Sequence, residues 1–99
     1  MEKRIAHYSL ETIKKMILEK NYFVTGSARL DYTALGLSDD EVIEIVLSLV
    51  PKDLYKSMTS YRNNKIWQDV YFKSAYDINL YIKLQITQKA IIISFKEKT

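Results

Sequence analysis

The sequence predicts an α+β fold, with N-terminal helices packed on a twisted antiparallel sheet formed mainly by the C-terminal half. Three observations lead there. Apolar residues in the first half recur at spacings of 3 and 4, and two such runs start on helix-capping residues. After Pro51 the period of the pattern drops from 3.6 to 2. Helical patterns therefore come first and strand patterns afterwards, which is the order of an α+β domain rather than of alternating βαβ units.

Residues 9–20, "SLETIKKMILEK", read as a helix capped by Ser9, with Leu10, Ile13, Met16 and Ile17 as its apolar stripe and Lys14, Lys15 and Lys20 off it. "YFVT", 22–25, is β-prone and is expected to end at Gly26. "ARLDYTALGL", 28–37, is expected to hold one short helical turn closed by Gly36. Residues 38–50, "SDDEVIEIVLSLV", carry the clearest helix signal. Ser38 and Glu41 form a capping box, Leu37 is placed to staple onto Val42, and Asp39, Asp40 and Glu41 suit the positive end of the helix dipole. Pro51 follows the last residue expected in that helix. The segments 53–61 and 65–73 flank "RNNK", whose asparagines suit a hairpin turn. "INLYIKLQI", 78–86, alternates cleanly: Ile78, Leu80, Ile82, Leu84 and Ile86 face one way, and Asn79, Tyr81, Lys83 and Gln85 the other. A tight connection near Gln88 and Lys89 leads to "AIIISFK", 90–96. There Ile91, Ile93 and Phe95 are expected on one face, Ser94 and Lys96 on the other.

Ninety-nine residues predict one domain spanning 1–99. No apolar run approaches the roughly 20 residues of a membrane span, and "MEKRIAHYSLETIKK" lacks the apolar core of a signal peptide. A cytoplasmic protein is expected. With no Cys and one His, His7, the chain has no disulfides, no thiolate or multi-histidine metal site and no cysteine nucleophile. No cofactor is expected. Charge is distributed unevenly. Residues 1–50 hold six Lys and Arg against eight Asp and Glu, a net −2, while residues 51–99 hold nine against four, a net +5. The second half is the candidate surface for an anion such as a phosphate backbone.

Within that half, Lys56 falls between Leu54 and Met58, and Gln68 between Ile66 and Val70, at alternate strand positions. A polar residue on an apolar strand face needs a partner or a purpose; the ordinary reading is that both sit at the rim and reach water. Taken alone, Tyr81 reads as ordinary cross-strand packing and Lys96 as a solvated strand end. Tyr55, Tyr61, Trp67 and Tyr71 are able to stack on bases or to bridge sheet and helices, and Trp67 is expected in the core. Taken together, these residues permit a chemistry that needs neither metal nor histidine. RNA supplies its own nucleophile, the 2′-OH. A lysine can stabilise charge on the attacked phosphate, a tyrosine or a lysine of lowered pKa can move protons, and a glutamine can hold sugar or base.

The run "YKSMTSYRNNKIWQDVY", 55–71, resembles the signature of the MqsR toxins, the motility quorum-sensing regulator family of mRNA interferases. "IIISFKEK", 91–98, and the opening "MEKR" are similar too, so the likeness spans essentially the whole chain, closest at 53–71 and at the C-terminus. It implies a RelE-like fold and ribosome-independent cleavage of single-stranded mRNA at GCU-type sites. It also implies silencing by an MqsA-type antitoxin, which has a zinc-containing N-terminal domain and a helix-turn-helix domain. Operator DNA would then be reached only through that antitoxin, and no membrane is involved. The family's active-site set falls on Lys56, Gln68 and Tyr81, with Lys96 supporting; Tyr55 and Met58 match positions that contact substrate. Relatives often place a basic residue directly after "WQDVY", where this chain has Phe72 and only then Lys73. The competing reading keeps the fold without catalysis, as an RNA-binding or antitoxin-binding module.

Overall fold

A computed structural model describes all residues, 1–99. Along the chain run β1 (Glu2–Lys3), α1 (Leu10–Leu18), β2 (Tyr22–Val24), α2 (Gly26–Ala34), α3 (Asp39–Leu47), a 3₁₀ turn (Pro51–Asp53), β3 (Leu54–Thr59), β4 (Trp67–Ala75), β5 (Ile78–Thr87) and β6 (Lys89–Glu97). The strands form one six-stranded sheet in the order β1-β3-β4-β5-β6-β2. The fold is α+β as expected. The sheet is mixed, however, because β2 lies parallel to β6 while every other pair is antiparallel.

Local signals account for most elements. Ser9 accepts from the Thr12 amide to open α1, and Ser38 and Glu41 close a reciprocal capping box on α3. α3 ends at Leu47, short of the expected 50. The segment after β2 departs further from expectation. Thr25 caps a full nine-residue helix by accepting from the Ala28 amide; the β segment does end before Gly26, as expected, and Gly26 is also the first residue of that helix. Gly36, at φ +84°, ends the stretch after α2, in the left-handed region that glycine enters without penalty. Tyr76 and Asp77, both at positive φ, make the two-residue turn between Ala75 and Ile78.

All three helices pack on one face of the sheet. Ile13 and Ile17 of α1, Tyr32 of α2, and Val42, Ile45 and Val46 of α3 meet Tyr71, Leu80, Ile82, Leu84, Ile92 and Phe95 in a single core. Leu37 and Val42 both lie in it, consistent with the staple. Tyr71 is sealed within it, which removes that ring from any base-stacking role; burial pushes its hydroxyl up to about 12. On β6 a bulge opposite Lys83 and Leu84 absorbs Ile93. The core residues of β6 are therefore Ala90, Ile92 and Phe95, not Ile91, Ile93 and Phe95.

Trp67 lies outside the core. Its ring is stacked on His7 at 5.4 Å and covered by Lys3 at 4.2 Å. The residue that fixes this corner is Asp69, fully buried and on the helix side of β4. Its carboxylate accepts from the Ser57 hydroxyl at 2.6 Å, from the His7 amide at 3.0 Å and from the Tyr8 amide at 2.9 Å. It thus ties β3, β4 and the lead-in to α1 at one point. Asp69→Asn keeps the volume but turns an amide N–H₂ toward donors that need an acceptor. The expected cost is about 1–3 kcal/mol, the price of a buried donor left unsatisfied, read by urea unfolding, with faster proteolysis within residues 1–8. Unchanged stability and unchanged proteolysis would contradict this role.

Candidate active site on the uncovered sheet face

No helix covers the other face of the sheet, and the strand registers decide what lines it. Because side chains alternate, residues paired across strands share a face. Lys56 pairs with Val70, Val70 with Lys83, and Lys83 with Ser94, giving a middle row across β3, β4, β5 and β6. One row to the side, Phe72 pairs with Tyr81 and Tyr81 with Lys96. On the opposite side, Met58 pairs with Gln68, and the Gln68 side-chain amide donates to Gln85 Oε1 at 2.9 Å. Rows along a strand lie roughly 6.5 Å apart.

A bulge between Leu54 and Lys56 brings Tyr55 onto this face beside Lys56. The Tyr55 ring stacks on Phe72 at 4.3 Å, 17° between planes. The structure therefore gathers Lys56, Gln68, Tyr81, Lys96, Tyr55 and Met58 on one face. Gln68 is not a rim residue: it is 7% exposed and held by Gln85, which in turn donates to Thr87.

Cations frame the rings. Lys96 lies 5.1 Å and Lys83 5.8 Å from the Tyr81 centroid, Lys98 4.9 Å from Phe72, and Arg4 and Lys56 5.3 and 5.4 Å from Tyr55. A depression of about 530 Å³ opens over Tyr55, Phe72, Tyr81, Lys96 and Lys98. Lys73 does not replace the basic residue displaced by Phe72. It points to the helix side, 3.5 Å from Asp53, so position 72 presents a ring instead of a charge.

Among the lysines of this face only Lys56 has a carboxylate partner, Glu2 on the edge strand β1. That hydrogen bond raises the Lys56 pKa above the ordinary lysine value and lowers that of Glu2. Lys83 moves the other way. Its half-burial beside Val70, followed by the charges of Lys96 and Lys56, lowers its pKa. Burial raises the Tyr81 hydroxyl above 10, against the opposing pull of Lys56. Tyr81 therefore remains a proton donor at neutral pH. Sequence reasoning placed Lys83 beside Tyr81 without singling it out; its alternation with Tyr81 on β5 was the available signal. No group of three or more carboxylate or imidazole side chains converges anywhere in the molecule, and no helix is long and apolar enough to cross a membrane.

Fold and site together define a class: a small α+β protein that leaves one sheet face bare and lines it with lysines and aromatic rings, a surface suited to an anionic, base-bearing polymer. Residues 5–97 match the model of the family described as the motility quorum-sensing regulator, toxin of MqsA. The mRNA interferase toxin MqsR of Escherichia coli (strain K12) is 39% identical over 98 residues, covering 99% of this chain and 100% of that protein. The chain belongs to the motility quorum-sensing regulator toxin family.

The opposed shifts are directly measurable. Titration of ¹³Cε-labelled lysines should separate two resonances, Lys83 titrating below 10.5 and Lys56 above it. Glu2→Gln should bring Lys56 down and leave Lys83 below 10.5. Lys83 titrating above Lys56 would show that the site's electrostatics are misassigned.

Proposed function

We propose that this toxin is an endoribonuclease that cleaves single-stranded mRNA without the ribosome and without a metal, using the RNA 2′-OH as nucleophile. It acts at GCU-type sites and is silenced by an MqsA-type antitoxin. Membership of the family and the 39% identity to an mRNA interferase support the activity. The resemblance alone supports the GCU preference, the zinc-containing antitoxin and its helix-turn-helix contact with operator DNA. The observation that carries the chemistry is the placement of Lys56, Tyr81 and Lys96 on one bare face, with the Lys96 ammonium 5.1 Å from the ring of Tyr81, whose hydroxyl is kept protonated by burial.

In this reading the Lys56 ammonium, paired with Glu2, stabilises the negative charge that grows on the phosphorane oxygens. As the 2′-oxygen bonds to phosphorus and the bond to the 5′-oxygen breaks, Tyr81 donates its proton to that leaving oxygen. Lys96 holds the flanking phosphate, and Gln68, braced by Gln85, orients the sugar. Tyr55 on Phe72 offers a stacking platform for a base, and Met58, beside Gln68 on the other side of the middle row, is placed to contact another part of the RNA. The fold class is that of the RelE-like nucleases.

Single-turnover cleavage of a GCU-containing RNA tests this. Lys56→Ala should slow cleavage by about 10²–10³-fold, the usual loss for one preorganised electrostatic group, while binding of an RNA lacking the reacting 2′-OH weakens far less. Tyr81→Phe should cost on the order of 10- to 10³-fold. Products should carry a 2′,3′-cyclic phosphate or 3′-phosphate and a 5′-hydroxyl, and excess chelator should leave the rate unchanged. Products with a 5′-phosphate would overturn the mechanism. RNA bound without cleavage by the parent protein would instead favour a non-catalytic binding module.

A further inference from the structure

We infer that Lys83 is a catalytic residue of the same site, the general base that takes the proton from the RNA 2′-OH. The inference rests on the nuclease reading above, which assigns an acid and a charge-stabilising group but no base. Lys83 stands on the central strand β5 in the middle row of the bare face, between Val70 on β4 and Ser94 on β6. Lys56 and Lys83 flank Val70 from the two neighbouring strands, and Val70 has no exposure although no helix covers it. The neighbours available to cover it on this face are the aliphatic stems of the two lysines together with Gln68 and Phe72, two residues away on either side along β4. The Lys83 ammonium makes no hydrogen bond or ion pair within the protein, and its Nζ lies 5.8 Å from the ring of Tyr81, the proposed acid.

The titratable groups around it share one tendency. Lys56 faces it from β3 and Lys96 from β6, both cationic; Tyr81 on its own strand is neutral; β4 contributes Val70 and Gln68, which do not titrate; and Glu2 on β1 is engaged by Lys56. Every charged neighbour that acts on Lys83 opposes its ammonium form and so favours the free amine. Two lysines on one face are thereby driven in opposite directions, Lys56 toward permanent charge and Lys83 toward neutrality. That is the arrangement expected of a fixed cation and a base sharing a site.

The step balances. The neutral Lys83 amine accepts the 2′-OH proton as the 2′-oxygen–phosphorus bond forms and the phosphorus–5′-oxygen bond breaks. Tyr81 protonates the departing 5′-oxygen, and the proton on Lys83 then passes to the Tyr81 oxygen, restoring both groups.

Arginine keeps the positive charge of Lys83 but does not deprotonate in a protein, so Lys83→Arg separates base from cation. Single-turnover cleavage by Lys83→Arg and by Lys83→Met should each fall by about 10²-fold or more, while binding of RNA lacking the reacting 2′-OH persists in Lys83→Arg. Because the chain has no other thiol, Lys83→Cys can be alkylated at that position alone to an aminoethyl side chain. This restores an amine of lower basicity. Cleavage should return, and the rising limb of its pH–rate profile should move to lower pH. Parent-like cleavage by Lys83→Arg, or an alkylated variant that recovers activity with an unshifted profile, would overturn the assignment to Lys83. An alkylated variant that binds RNA yet stays inactive would do the same. A parent protein that does not cleave would instead remove the nuclease reading on which the inference stands.

Discussion

The buried carboxylate of Asp69 is the constraint on which the rest of the structure depends. A charge taken out of water is tolerated only where donors replace the lost hydration. Here the Ser57 hydroxyl and the amides of His7 and Tyr8 supply them. Meeting that requirement fixes the register of β3 against β4 and draws the N-terminal segment across the sheet edge into α1. The same path lays β1 along β3, with Glu2 opposite Met58 and Lys3 opposite Ser57. Glu2 consequently reaches Lys56, while Lys3 and His7 enclose Trp67 on the other side. A structural carboxylate on the helix side of the sheet thus helps to place the carboxylate that pairs with a lysine on the bare side.

Two bulges then determine the composition of that bare face. The one in β3 lets consecutive residues, Tyr55 and Lys56, both serve it, so a ring and a cation lie side by side where strict alternation would separate them. The one in β6 resets alternation after Ile92. Phe95 then points inward to meet Tyr32 edge-on at 5.7 Å, and Lys96 points outward beside Tyr81. Without that shift, a β6 aligned to bury Ile92 would turn Lys96 inward and expose Phe95. Core packing and site assembly are therefore satisfied by the same irregularity.

Much of this was legible in the sequence because the signals were local. The Ser38–Glu41 capping box, the Ser9 cap and the alternation from Ile78 to Ile86 each carry their own physical reason, and each appears where expected. The grouping of Lys56, Gln68 and Tyr81 was legible through resemblance, and strand alternation is consistent with it. What was hidden depends on partners distant in the chain. β1 has two residues, too few for a pattern, and exists because β3 offers an edge. The unbroken apolar run Ala90–Ile93 gives alternation nothing to read, so the bulge was invisible. Gly26 reads as a terminator until the Thr25 side chain is seen capping the following turn. Lys83 looked like any polar-face lysine; its distinction comes from Val70, Lys56 and Lys96 on three other strands.

The central claim is that the bare sheet face, and not the helical face, receives RNA. Mapping by NMR the binding of a GCU-containing RNA with a 2′-deoxy sugar at the scissile position tests it most directly. The account predicts that the largest shift changes gather on Lys56, Gln68, Phe72, Tyr81, Lys83 and Lys96, while α1 and α3 remain silent. Changes concentrated on α1 to α3, with the resonances of the bare face unmoved, would contradict it.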